Sequence, residues 1–448
     1  MVTTTPRPLT ILLSPESAYG PTNQCIGIGN ILLQRGHRVV FAAEASWKGR
    51  LEPLGFEERL VDLAEPAPTD DEQDPGVFWT EFIRDTSPEF RKPTVEQLET
   101  FIRPTWEALI AGSQYCEPRL RRVLDEVRPD VVVEDNVVCF PALLTSPAPF
   151  VRIVSCNPLE VPDAGIAPAF SGLAQHDRDG WATFRAEYER THREVWTSFN
   201  DWVIAQGAPA LPDLQFMHES EHANLYVYPA EADYDRLRPL GDTWHRIDSS
   251  VRETDDDYML PQTVADRPDG SALVYLSLGS LGGADVELMR RLVDVLGRTR
   301  HRYVVSKGPM GDLIELPANM VGAPIVPQTK VIPQVDLVIT HGGNNTTTEA
   351  LHFGKPMIVL PLFWDQYDNA QRVHELGLGL RLETYAFTDD QLIEAVDGLL
   401  ADPVLSARSA EIGDRIRARQ GLRRAADLVE RVAHEHADRI SSGVRKGW

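Results

Sequence analysis

The residues best able to do chemistry fall between Asp336 and Gln366. A short apolar run, Leu337 to Thr340, leads into His341, the pair Gly342-Gly343, then Asn344, Asn345 and Thr346, with Glu349 further on. This spacing predicts a strand, a tight glycine turn and a helix beginning at Asn344 or Asn345. Gly354 suits the left-handed position beyond the helix end, Lys355 complements the dipole there, and Pro356 prevents continuation. Such a helix directs unsatisfied N–H groups outward at the carboxyl edge of a sheet, which is a site for a phosphate group in physical terms. Asn345 and Thr346 add side-chain donors, and Glu349, on the same face, can accept from a ribose hydroxyl. A strand later, Asp365 and Gln366 set a carboxylate beside an amide, a pairing suited to vicinal sugar hydroxyls that donate and accept together. Singly these residues read as a satisfied polar side chain, a turn and a helix cap. Their order and spacing together argue for a site.

The surrounding chain reads as two series of alternating strands and helices. In the first, a strand at Leu9–Leu13 meets a turn-rich stretch from Ser14 to Gln24. A helical stripe through Cys25, Ile28 and Leu32 follows, closed by Arg35-Gly36, then a strand at Val39–Phe41. This βαβ unit implies parallel strands with a right-handed crossover. Further strands are expected at Val131–Val133 and Val151–Val154, with Tyr226–Tyr228 the last. Two aromatic-rich stretches intervene, one through Phe78, Trp79, Phe82, Phe90, Phe101 and Trp106, the other through Trp181, Phe184, Tyr188, Trp196 and Trp202. Most of these rings read as helix faces packed on the sheet, and some as walls of an apolar or aromatic ligand cavity. Residues 241–270 are rich in Asp, Pro and Thr, include the acidic run Glu253–Asp257, and read as a linker. The second series has strands at Leu273–Ser277, Tyr303–Val305, Leu337–Thr340 and Met357–Leu360. Gly279-Ser280 follows the first of them, Val286–Leu296 is a helix, and helices dominate after Asp389, ending in amphipathic Leu422–Ile440. The expected fold class is α/β, two doubly wound, Rossmann-like parallel-sheet domains facing a cleft. The boundaries are 1–240 for an acceptor-side domain, 241–270 for the linker, 271–421 for a donor-side domain, and 422–448 for a terminal helix that can cross back.

Composition narrows the partners. In 448 residues, 67 Asp and Glu against 44 Lys and Arg give a formal charge of −23. That excess repels nucleic acid and anionic membranes, while leaving room for one small anion in a pocket. Hydrophobic content of 42% with 25% charged residues is ordinary for a soluble globular chain. The four cysteines, Cys25, Cys116, Cys139 and Cys156, show no C-x-x-C spacing and read as reduced, mostly buried thiols. The N-terminus lacks the pattern of a signal peptide, and no stretch reaches the ~18 apolar residues of a spanning helix. A cytoplasmic location is expected.

From Gln328 to Val373 above all, and over nearly the whole chain, the sequence resembles the inverting glycosyltransferases of the UDP-glycosyltransferase superfamily (glycosyltransferase family 1). The resemblance implies the GT-B fold and transfer of a hexose from a UDP- or TDP-sugar to a small apolar or aromatic acceptor, of the bacterial natural-product or xenobiotic type. It assigns the donor diphosphate to His341, Gly342, Gly343, Asn345 and Thr346, with Gly279 and Ser280 also touching phosphate. It gives the ribose to Glu349, the donor sugar to Asp365 and Gln366, and the base edge to Pro327-Gln328. No cofactor beyond the nucleotide sugar is expected, and no metal: the donor region has no Asp-x-Asp pattern, and a helix dipole with His341 can neutralise a leaving diphosphate.

Two positions depart from the family pattern. The aromatic residue that stacks on the base is replaced by Ile325, which leaves the pyrimidine open. The general-base histidine is replaced by Pro21, after Gly20, at the spacing set by Arg35-Gly36-His37; these two residues mark the acceptor-side loop. Asp135 matches the aspartate that orients this histidine. Three readings stay open: the acceptor needs no base, Asp135 or Glu16 takes the proton directly or through water, or the chain is a non-catalytic donor-binding homologue. A nucleotide-sugar epimerase or hydrolase on the same fold is a further alternative. His37, at a helix-to-strand corner, reads as structural.

Overall fold

The computed structural model describes residues 7–65, 84–254, 257–283 and 285–442. Phe78, Trp79 and Phe82 of the first aromatic stretch, Asp255 and Asp256 of the acidic run, and both chain ends lie outside the described residues. The first domain runs β1 (Thr10–Pro15), α1 (Tyr19–Gln34), β2 (Arg38–Glu44), β3 (Glu57–Val61), α2 (Arg103–Val127), β4 (Val131–Asp135), β5 (Phe150–Val154), α3 (Arg178–Ala205), β6 (Ala223–Tyr226) and β7 (Trp244–Arg246). Its seven strands are ordered β3-β2-β1-β4-β5-β6-β7, with every pairing parallel. Helices cover both faces, so the central strands β4 and β5 bury every side chain, Val131, Val132 and Val133 completely. Each such valine contributes roughly 1.5–3 kcal/mol relative to an exposed one.

The second domain runs β8 (Leu273–Ser277), α4 (Val286–Leu296), β9 (Arg302–Ser306), β10 (Met320–Ala323), β11 (Leu337–Thr340), α5 (Asn344–His352), β12 (Met357–Val359), α6 (Gln366–Glu375), β13 (Gly379–Arg381), α7 (Asp389–Leu400), α8 (Pro403–Ala418) and α9 (Gly421–Ser441). Its order is β10-β9-β8-β11-β12-β13, again parallel throughout. Both sheets change strand direction of travel beside their first strand, β1 against β4 and β8 against β11. These are the switch points where doubly wound sheets open a crevice.

Besides the edge strands β3, β10 and β13, which the sequence reading does not name, the structure differs from it at β7 and at α1. β7 lies within the stretch read as linker and pairs with β6, so Tyr226 is followed by another strand. α1 begins at Tyr19, which puts Gly20 and Pro21 in its first turn and not in a loop. Proline is tolerated there because the N–H it lacks has no intrahelical acceptor. α9 stands against the first domain: Ala425, Ala426, Val429 and Val432 form a buried stripe in one cluster with Ile11, Ile28 and Val39. Its first residue, Gly421, is so close to the β7 end that a Cβ would sit 1.7 Å from the Ile247 carbonyl oxygen.

Candidate functional site

β11 ends at Thr340, and the chain turns through Gly342 in the left-handed region (φ 90°) to start α5 at Asn344. The first intrahelical bond runs from Thr347 N–H to the Gly343 carbonyl (3.0 Å), leaving the amides before it without acceptors in the helix. His341 lies between two glycines. A Cβ on Gly343 would stand 2.5 Å from its Nε2, and one on Gly279 would stand 2.6 Å from its Cε1. Gly279 (φ 75°) opens the single helical turn that contains Ser280, so the loop after β8 and the turn after β11 meet across the imidazole. Burial lowers the His341 pKa to about 4, so at neutral pH the ring is an uncharged donor and acceptor.

The carboxylate of Glu349 is buried one turn into α5. Its Oε2 accepts from Gln328 Nε2 (2.5 Å), and its Oε1 lies 3.4 Å from Arg252 Nη1. Gln328 also bonds Thr346 Oγ1 (3.1 Å) and accepts from the Tyr275 hydroxyl (3.2 Å). Its side chain is therefore engaged with the Glu349 carboxylate. Ile325, just upstream, is 71% exposed and offers an apolar surface to a ring. Arg252, from the chain between the domains, was not singled out from sequence, because one arginine beside an acidic run carries no periodic or motif signal.

Asp365 and Gln366 open α6. Asp365 is buried, and its Oδ2 accepts from the Asn157 N–H (2.8 Å) in the loop after β5. Burial raises its pKa to about 7. Gln366 turns its Oε1 back to the amides of Leu362 (3.0 Å) and Phe363 (3.2 Å). Across the cleft, Asn345 Nδ2 donates to the Gly20 carbonyl (3.0 Å), and Gln24 donates to Asn345 Oδ1. Asn345 thus joins α5 to the first turn of α1, where Pro21 sits.

The acceptor-side carboxylates differ in setting. Asp135 is completely enclosed at the end of β4, its Oδ2 finds no hydrogen-bond partner among the described residues, and burial holds its pKa well above the usual range. Glu16, half-buried just before α1, accepts from Ser17 Oγ (3.0 Å) and Ala18 N–H (2.9 Å), while its own N–H bonds the Asp135 carbonyl (2.8 Å). The Cys156 thiol lies between the two sides: burial, then Asp365, Glu160 and Asp135, raise its pKa. Beyond Glu160, whose Oε1 accepts from Arg152 Nη2 (2.8 Å), opens a cavity of about 290 Å³ walled by Trp106, Phe170, Phe184, Tyr188 and Phe216. Trp364, beside Asp365, packs on Trp106 and Phe170 with ring centroids 5.1 and 4.4 Å apart.

The family described as Erythromycin biosynthesis protein CIII-like, C-terminal domain, matches residues 290–430. The chain is 25% identical to NDP-glycosyltransferase YjiC of Bacillus subtilis, over 92% of this chain and 94% of that one. It is 26% identical to the oleandomycin glycosyltransferase of Streptomyces antibioticus, over 96% and 92% of the two chains. The crystal structure of the glycotransferase of kitacinnamycin superposes with a TM-score of 0.68 at 23% identity, covering 96% of this chain and all of the other. These similarities support a UDP-glycosyltransferase superfamily member of bacterial natural-product type. The chain is a glycosyltransferase with the GT-B fold. In this glycosyltransferase the matched family region ends within α9, the helix that returns to the first domain. No helix among the described residues is long and apolar enough to cross a membrane.

Proposed function

We propose that this enzyme transfers a hexose from a UDP- or TDP-sugar to a small aromatic or apolar acceptor, with inversion at the anomeric carbon and without a metal. The observation that carries this reading is the aromatic cavity beside Trp364: an acceptor held there lies next to Asp365, the carboxylate suited to the donor sugar. The α5 N-terminus and neutral His341 supply hydrogen bonds to the diphosphate as its charge grows on departure. In the transfer step the acceptor oxygen bonds the anomeric carbon, the bond from that carbon to the phosphate oxygen breaks with its electron pair, and the acceptor proton moves to a base.

Pro21 cannot take that proton. Burial holds the Asp135 pKa well above the usual carboxylate range, which favours its protonated form. Glu16, half-buried at the same edge, is the group we assign to receive it, directly or through one water; an acceptor with an acidic hydroxyl needs no base at all. The test is incubation with UDP-glucose or TDP-glucose and 4-methylumbelliferone, followed by chromatography and NMR of the anomeric proton. A β-glucoside formed in the presence of EDTA is the expected outcome. Donor binding without product across a wider panel of phenols and alcohols sinks the reading.

A further inference from the structure

The loop that lines the aromatic cavity is fastened at both ends to α6, the helix that begins with the sugar pair. At one end Asn157 N–H bonds Asp365, and Asn157 Nδ2 donates to Asn369 Oδ1 (2.8 Å). At the other end the Asp368 carboxylate accepts two backbone amides, Phe170 N–H at Oδ2 (2.6 Å) and Gly172 N–H at Oδ1 (2.9 Å). Arg381 completes the clamp by donating to the Gly172 carbonyl (2.8 Å). Between these ends the backbone is strained where it matters for the pocket. Phe170 holds φ 68°, and Trp364, which its ring meets, holds φ 57°. Non-glycine residues rarely adopt that region, and at a cost of order 1–3 kcal/mol each it persists only where surrounding bonds hold it. Gly172 (φ 58°) has no room for a side chain either, since a Cβ would lie 2.8 Å from Tyr367 Cβ on α6.

We propose that Asp368 is a positioning residue for the acceptor: by clamping the Phe170 and Gly172 amides across the domain interface, it sets the Phe170 ring as the cavity wall nearest the donor sugar. The cavity then reaches its binding shape only when the two domains are closed, and donor and acceptor sites share one structural element, α6. This rests on the reading of the aromatic cavity as the acceptor pocket. Asp368 itself touches neither substrate. Its effect passes through Phe170, and that separates it from a residue that merely stabilises the fold.

The test uses the full chain with Asp368→Ala, the milder Asp368→Asn, Phe170→Ala and the double variant Asp368→Ala/Phe170→Ala. Binding of 4-methylumbelliferone is followed by its fluorescence anisotropy, and UDP or TDP binding by calorimetry. The acceptor dissociation constant is expected to rise on the order of tenfold in Asp368→Ala and less in Asp368→Asn, with nucleotide affinity within about twofold of wild type. The double variant is expected to bind the dye no more weakly than Phe170→Ala alone, because the two side chains act as one unit. Additive losses, or parallel losses of dye and nucleotide affinity, overturn the proposal. If Asp368→Ala does not fold, Asp368→Asn carries the same comparison. Wild-type protein that binds no dye overturns the pocket and the clamp together. Wild-type protein that binds dye and nucleotide with this dependence but makes no glucoside leaves the clamp standing and removes the transferase reading for that acceptor.

Discussion

At the residue scale the donor edge is defined by what glycine leaves room for. Gly343 has ordinary extended backbone angles, so alanine is conformationally acceptable there, and the obstacle is the His341 imidazole. Gly343→Ala is expected to push the ring aside and weaken UDP or TDP binding on the order of tenfold, as His341→Ala does, with the double variant no worse. Calorimetry on the three variants checks this, and unchanged affinity in Gly343→Ala removes His341 from the phosphate site. The proton acceptor is tested in the same way. Glu16→Gln is expected to lower kcat/KM with an aliphatic alcohol acceptor by about 10²-fold, and with an acidic phenol much less, while Asp135→Asn changes the alcohol rate little. Equal losses for both acceptors in Glu16→Gln remove it as the base. The residues from His341 to Glu349 were legible in the sequence because strand, turn and helix cap must follow one another at fixed spacing. Asp368, Asn157 and Arg252 were not, because each acts across a domain interface on backbone or side chains far away in the chain.

At the element scale the legible strands are the interior ones. β1, β4, β5, β8, β11 and β12 pair on both sides and sit under helices, so they read as apolar runs. The four edge strands, β3, β7, β10 and β13, escaped notice: each pairs on one side only, and charged or small residues such as Glu57, Glu58, Arg246 and Gly379 break the pattern. The helices were legible from their stripes, and α9 carries a consequence of its packing. Gly421→Ala forces a Cβ into the Ile247 carbonyl, and overpacking of this kind costs roughly 1–3 kcal/mol. Gly398, inside α7, has open space around it, so Gly398→Ala gains about 0.5–1 kcal/mol through helix propensity. Urea unfolding of the two variants is expected to show midpoints shifted in opposite directions. A Gly421→Ala midpoint equal to wild type removes the close docking of α9.

At the scale of the whole molecule, two buried carboxyls of α6 lie across the domain interface, and both have raised pKa values. Burial takes Asp365 to about 7 and Asp368 to about 8; the amides they accept and Arg381 lower Asp368 again, and Asp365 raises it. A carboxyl with a higher pKa in the folded chain than in the unfolded one binds its proton more tightly when folded. Its contribution to stability is therefore fully present below the unfolded value near 4 and is lost as pH rises through the folded value. Closure of the two domains follows the same sign, because opening returns both carboxyls to water. Thermal stability is thus expected to fall from about pH 4 to about pH 8 and to level off above, and the part from about pH 6 to about pH 8 is a window in which ordinary carboxylates do not titrate. In Asp368→Asn, which carries no proton to lose, the slope over that window is expected to flatten, leaving the smaller part owed to Asp365. Scanning calorimetry across the window decides the matter: stability that rises with pH, or an Asn variant with the wild-type slope, rules out this pair as the source. The chain's net charge of −23 works in the same direction, since self-repulsion grows as protons leave. Only the difference between wild type and Asp368→Asn isolates the clamp, and added salt is expected to reduce the common background while sparing that difference, because a buried carboxyl is screened far less than a surface one.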